Sequence, residues 1–193
     1  MRRIRYSVAT SLDGFIAGPK GQFDWIIMDP EFDFEAYYRQ FDTVLMGRKS
    51  FEVAGSSAWG HGMTTIVVSR TLRQKDYPGV TIVGKEVKET MTALRNEPGK
   101  DIWLFGGGEL FKSLLDRGLV DTVEVGLIPV LLGDGIPLLP QPFRQAKLKL
   151  TSHKVYKSGT VGLEYEIQPA VPPRATRKAK PAAKKKSRSR AAR

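Results

Sequence analysis

Ile102-Trp103-Leu104-Phe105-Gly106-Gly107-Gly108-Glu109-Leu110-Phe111 reads as a buried strand that turns through three glycines into a helix. Four apolar residues bounded by glycine suit a strand covered on both faces. Beyond the glycines, Leu110, Phe111, Leu114 and Leu115 recur at helical spacing, which predicts a helix over residues 109–117 with one apolar face. Glycine lets a ligand approach the backbone closely, and unbonded N–H groups at a helix start attract phosphate. An ordinary flexible turn has the same composition. The glycines lack the spacing of the Rossmann fingerprint.

The same strand-then-helix grammar extends outward in both directions. Residues 3–9 form a first strand. Residues 11–29 form a long loop containing glycine, long enough to suggest function. Residues 30–41 read as a helix, with Pro30 in its first turn and Glu31, Asp33 and Glu35 favouring its N-terminal dipole. Strands follow over residues 43–46, 64–68, 80–83 and 122–128, the second of them a β-branched run. Helices are expected over residues 49–53 and 85–96, the latter ended by Pro98-Gly99. Residues 148–156 and 160–167 flank Lys157-Ser158-Gly159, a hairpin signal. This order implies an α/β fold: a mostly parallel mixed sheet with helices on both faces and a C-terminal antiparallel hairpin.

Two further strand ends carry chemistry. Met46-Gly47-Arg48-Lys49-Ser50-Phe51-Glu52 places two cations and a hydroxyl at a helix start, which suits a phosphate ester or pyrophosphate, although a solvated cationic turn reads the same way. Val67-Val68-Ser69-Arg70-Thr71 ends a strand in three donors. All three motifs follow strands, where ligands gather in open α/β sheets. Together they fit a dinucleotide with an extra 2′-phosphate.

Composition narrows the classes. The 193 residues contain no cysteine, which excludes disulfides, thiolate metal sites and cysteine nucleophiles. The two histidines, His61 and His153, are too few for a histidine-rich metal centre, so no metal is expected. No apolar run approaches the roughly 18 residues of a membrane span, and no signal-peptide pattern follows the N-terminus. A cytoplasmic protein is expected. The net charge of +11 is misleading: ten of the 31 Lys and Arg lie in residues 170–193, which hold no acid, leaving 21 cations against 20 acids in the rest. Residues 1–168 therefore read as one nearly neutral domain. Residues 169–193 read as a basic Ala/Lys/Arg/Pro tail with nothing to bury, disordered in isolation.

The sequence resembles the dihydrofolate-reductase-like family, in the branch similar to the C-terminal reductase domain of the bifunctional riboflavin-biosynthesis deaminase/reductase. The resemblance spans nearly all of residues 2–168. It rests on Ser11-Leu12-Asp13-Gly14-Phe15-Ile16-Ala17, Asp24-Trp25, Gly47-Arg48-Lys49-Ser50, Ser69-Arg70, Gly106-Gly107-Gly108-Glu109 and Pro129-Val130-Leu131-Leu132-Gly133-Asp134-Gly135. It implies the three-layer fold of that family and NADPH as cofactor. Gly47, Arg48, Lys49 and Ser50 would reach the pyrophosphate and adenosine phosphate, and Ser69 and Arg70 the 2′-phosphate. Gly106, Gly107, Gly108, Glu109 and Leu110 would form the turn over the pyrophosphate. The backbone of Ala9 and Ile16 would meet the nicotinamide amide. The family's zinc-dependent deaminase half uses cysteine ligands, so deamination is excluded for this chain. The terminal strands build homodimers in family members, and a homodimer is expected here.

The implied reaction is hydride transfer to a C=N or C=O of a small heterocycle of pterin, folate or flavin-precursor type, the cofactor supplying the hard chemistry. A proton must also arrive, and Asp13 and Asp33 are the candidate catalytic acids. Asp13 before Gly14 also suits a turn, and acids at a helix start are ordinary caps. Asp24, Trp25 and Glu35 are candidate substrate contacts, with Phe15, Phe23 and Trp25 on a loop able to act as a lid. His61, in a glycine-flanked stretch, is expected at solvent or the cleft rim. Two other readings stay open: a non-catalytic NADPH-binding module, and a nucleic-acid-associated protein whose tail cations neutralise phosphates.

Overall fold

The computed structural model describes residues 1–55 and 62–169. His61 and the basic tail lie outside the described residues, and with them the expectations of a rim histidine, tail disorder and tail-borne nucleic-acid contacts.

The elements run β1 (Ile4–Ser11), β2 (Phe15–Ala17), α1 (Phe34–Tyr38), β3 (Phe41–Gly47), α2 (Arg48–Ala54), β4 (Thr64–Val68), β5 (Val80–Val83), α3 (Val87–Asn96), β6 (Asp101–Gly106), α4 (Gly108–Leu115), β7 (Thr122–Ile128), β8 (Ile136–Pro137), β9 (Leu148–Val155) and β10 (Val161–Ile167). Eight strands form one sheet in the order β5-β4-β3-β6-β1-β7-β10-β9, and β2 pairs with β8 in a second, two-stranded sheet. The six strands from β5 to β7 are parallel, and the β9–β10 hairpin closes the edge antiparallel to β7. The α/β expectation, with its mostly parallel sheet and terminal antiparallel hairpin, holds.

Strand alternation splits the core into two layers. Ile4, Tyr6, Leu45, Ile66, Ile102, Leu104 and Val123 pack on one face against Met91 of α3 and Leu110, Phe111 and Leu114 of α4. Tyr6 stacks on Phe111 with ring centroids 3.9 Å apart. On the other face Val44, Met46, Val67 and Trp103 meet Phe51 of α2 and Tyr37 and Tyr38 of α1. The layers are thus α3/α4, sheet, α1/α2.

The first helix departs from its expected span. It covers Phe34–Tyr38 rather than residues 30–41. Asp29 is buried and its carboxylate accepts the amides of Glu31 and Ser158, which holds Pro30 and Glu31 in a turn. The helix begins only where Asp33 caps it, accepting the Ala36 amide at 2.8 Å. At the other end Phe41 enters the sheet beside Asp101 instead of extending the helix. The second sheet is also new relative to the sequence reading. It ties the loop after β1 to the segment before the hairpin, and Gly135 permits the approach: a Cβ there would lie 2.3 Å from the Ala17 carbonyl oxygen.

Candidate cofactor and substrate cleft

β3 and β6 are neighbours, and the helices that follow them leave on opposite faces, α2 on one and α4 on the other. This is a topological switch point, where open α/β sheets bind ligands. The turns of the first two motifs meet there. Ser50 Oγ lies 3.5 Å from where a Cβ of Gly107 would stand, and 3.7 Å from that of Gly106. The Gly106–Gly107 peptide is cis.

Each motif residue has a distinct place. In α4 the amides of Leu110 and Phe111 donate to the Gly107 carbonyl at 3.0 and 3.1 Å. The amides of Gly108 and Glu109 lie in the first turn of α4, where N–H groups have no intrahelical partner. Leu110 has its side chain in the core and its amide bonded to Gly107, so neither of these is left for a cofactor. Gly108 needs its missing side chain for packing, since a Cβ would stand 2.9 Å from the Pro137 oxygen and 3.0 Å from that of Leu138. The Glu109 side chain is exposed. Arg48 is half-exposed and pairs with Glu52 one turn on, at 2.9 Å. Lys49 and Arg70 are exposed and form no ion pair among the described residues. Ser69 is buried, and its hydroxyl accepts the amides of Thr71 and Leu72 at 3.2 and 3.1 Å, shaping the turn that presents Arg70. Arg70 thus projects one strand over from Gly47.

At the neighbouring strand end, Ala9 is half-buried and pairs with Gly126. Ile16, also half-buried, sits in β2, which Thr10 fastens by donating from Oγ1 to the Phe15 carbonyl at 3.1 Å. The acids fare differently from expectation. Asp13 accepts from Ser11 Oγ at 2.6 Å, from the Gly133 amide at 2.7 Å and from the Leu132 amide at 3.1 Å. The Ser11 hydroxyl first, then those amides, hold its carboxyl below the usual carboxylate range. It fastens one loop to another as an anion and has no proton to give at neutral pH. Asp33 is an exposed helix cap. Glu35 is also exposed, 3.8 Å from Arg39 at the end of the same helix. Asp24 is exposed, and the half-buried Trp25 donates from its indole to the Gln22 carbonyl at 3.1 Å. The loop carrying them also exposes Phe23, Ile27 and Met28.

Sequence reading missed a buried polar group beside Ala9. Arg5 of β1 and Glu124 of β7 pair under α1, and Tyr37 of α1 donates its phenol proton to the same carboxylate at 3.1 Å. Burial, then the negative charge of Glu124, pushes the Tyr37 phenol well above its ordinary range. Burial alone would lower the Arg5 pKa, and the Glu124 carboxylate more than offsets it. The available signal was two charges in central strands of a sheet covered on both faces, where a charge must be paired.

No described helix is long and apolar enough to cross a membrane. The described residues hold no cluster of three or more His, Cys, Asp or Glu able to bind a metal.

Fold and cleft together define an α/β protein of the dihydrofolate-reductase-like kind. More narrowly, the chain belongs to the RibD C-terminal domain family, whose pattern matches residues 2–162. It is 36% identical over 178 residues to the YyaP protein of Bacillus subtilis strain 168, covering 85% of this chain and 94% of that one. It is 31% identical over 146 residues to the type 1 dihydrofolate reductase of Escherichia coli, covering 74% and 86%. A solved structure from Shewanella sp. PV-4, assigned to riboflavin biosynthesis, superposes with a TM-score of 0.74 at 23% identity over 88% of this chain and all of that one, a likeness of fold.

Proposed function

We propose that the protein is an NADPH-dependent reductase acting on a C=N or C=O bond of a small heterocycle. Membership of the RibD C-terminal domain family and the likeness to a dihydrofolate reductase support an oxidoreductase. One observation carries the cofactor reading: at the β3/β6 switch point, Ser50 stands against the Gly106–Gly107 turn while Lys49 and Arg70 project without ion-pair partners among the described residues. The donors fit a phosphate-rich dinucleotide in kind. Ser50 and the Gly108 and Glu109 amides would hold the pyrophosphate, Arg48 and Lys49 would neutralise it, and Arg70 would take the 2′-phosphate. NADPH supplies the hydride when bound. The protein's share is orientation, with Ala9 and Ile16 as backbone edges for the nicotinamide, while the loop that exposes Phe23, Ile27 and Met28 would exclude water on closing. With Asp13 held as an anion and Asp33 as a cap, the proton is best supplied by water.

Titrating the protein with NADPH and NADH while following tryptophan quenching tests this. Tight NADPH binding weakened by Arg48→Ala supports the reading, and no binding of either nucleotide overturns it. A cytoplasmic homodimer joined through the hairpin belongs to the same reading. The outer edge strand β9 is exposed throughout, Leu148, Leu150 and Val155 included. Sedimentation of Leu150→Lys should yield monomer. The ten cations of residues 170–193 support weak, salt-dependent nucleic-acid binding as a second activity, and deleting them should abolish it.

A further inference from the structure

We infer that Tyr37 reads the edge of the substrate ring, and that Glu124 dictates which hydrogen-bonding edge it reads. This rests on the reductase reading of the cleft. Arg5, Ser7 and Ala9 of β1 share one sheet face with Thr122, Glu124 and Gly126 of β7, pairing in that order. The Glu124 oxygens accept from Arg5 Nε at 2.5 Å, Arg5 Nη2 at 2.9 Å, Thr122 Oγ1 at 3.0 Å and the Tyr37 hydroxyl at 3.1 Å. A carboxylate offers about four acceptor sites, so Glu124 has none left for a ligand. It is a positioning residue. Arg5 stops it from turning, and Gln40 in turn accepts from Arg5 at 2.7 Å.

The consequence falls on Tyr37. A phenol has one proton, and here it is committed to Glu124. Any other group that meets the oxygen must donate. The next residue pair along this face is Ala9–Gly126, about 7 Å farther along the strands. A Cβ on Gly126 would find nothing nearer than the Ala9 Cα at 4.0 Å, so the space above the pair is unfilled. Aromatic rings wall it: Phe32 lies 5.5 Å from Tyr37 and 6.2 Å from Tyr156, and Tyr156 covers Gly162, the partner of Gly126 on β10. A flat heterocycle lying there turns an edge to Tyr37, and that edge must carry N–H. The substrate class is therefore a ring with an amino or ring N–H group on the edge that meets Tyr37, not one with only acceptors at that edge.

The test uses two probes of like shape, both uncharged at neutral pH: 2-aminoquinazoline, whose edge donates, and 2-methoxyquinazoline, whose edge accepts. Affinities are measured on the full chain with and without NADPH, and the ratio of the two is read, because lost stability does not move a ratio. The wild type should favour the amino probe by about 5- to 10-fold. Tyr37→Phe should bring the ratio to about one while leaving NADPH affinity unchanged. Glu124→Gln should lower or invert it, since an amide can donate to the phenol and turn its proton towards the ligand. A wild-type ratio of one or below, no binding of either probe, or variants that keep the wild-type ratio overturns the inference. Should a variant not fold, the wild-type ratio still decides. Failure of the wild type to bind NADPH strikes the reductase reading instead, because the probe ratio is also measured without nucleotide.

Discussion

Arg5 of β1 reaches diagonally across to Glu124 of β7 in a two-pronged contact of 2.5 and 2.9 Å, with side chains only 7% and 8% exposed. Desolvating both charges costs as much as their attraction returns, so the pair adds little net stability. Breaking one half is another matter. Glu124→Ala should lower unfolding free energy by about 3–5 kcal/mol by leaving a buried guanidinium uncompensated. Arg5→Met combined with Glu124→Met should recover most of that loss. Urea denaturation of the three variants checks it, and additive losses in the double variant would contradict the coupling.

The triple glycine turn separates packing from binding. Gly108→Ala drives a methyl group into the Pro137 and Leu138 carbonyl oxygens and the Pro140 ring, all within 3.0 Å. It should cost about 1–3 kcal/mol, the usual penalty of overpacking. Gly107 has an extended backbone, φ −87° and ψ −172°, and its added methyl would meet only Ser50 Oγ, at 3.5 Å. Gly107→Ala should melt within a few degrees of wild type yet bind NADPH more weakly. Thermal melts paired with nucleotide titrations distinguish the two, and equal losses of stability would refute the division.

Asp13 should behave as a pH-dependent fastener. Its folded pKa lies below the unfolded one, so its contribution is present above about pH 4, the ordinary carboxylate value, and is lost as pH falls towards the lowered folded value. Hydrogen exchange at Leu132 and Gly133 should accelerate over that acid window in wild type. In Asp13→Asn it should be faster at neutral pH and flat across the window. If hydride transfer to any acceptor disappears with Asp13→Asn while these amides stay protected, Asp13 is the acid after all.

How far the sequence reveals this molecule depends on where each interaction lies along the chain. β4, β5 and β7 fall on their expected residues because β-branched runs bounded by turns declare themselves locally. α1 is shorter than its pattern because Asp29 is tied to Ser158, 129 residues away, and no local rule sees that bond. β2 and β8, of three and two residues, exist only through each other. The strand-end motifs of the proposed cofactor site were legible since each lies within one short stretch of chain that follows a strand. The polar group beside Ala9 was not, for it assembles from β1, α1 and β7, which lie far apart along the chain. Residue type alone singles out Asp13 and Asp33 in the sequence, whereas in the fold their carboxylates are engaged with backbone amides.

The cation arrangement makes a signed prediction about cofactor choice. Arg70 has no ion-pair partner among the described residues, whereas Arg48 is already paired with Glu52 at 2.9 Å. A charged hydrogen bond contributes about 1.5–3 kcal/mol, so Arg70→Ala should weaken NADPH by roughly 10- to 100-fold and leave NADH nearly unchanged. Arg48→Ala should weaken both nucleotides, and by less, because half of its interaction is with its own helix. Removing the competitor should have the opposite sign: Glu52→Ala frees Arg48 and should tighten both nucleotides a few-fold, most clearly at low ionic strength where exposed charges are least screened. Paired NADPH and NADH titrations at two salt concentrations read all three effects. An Arg70→Ala variant that lost NADPH and NADH in equal measure would move Arg70 from the 2′-phosphate to the pyrophosphate.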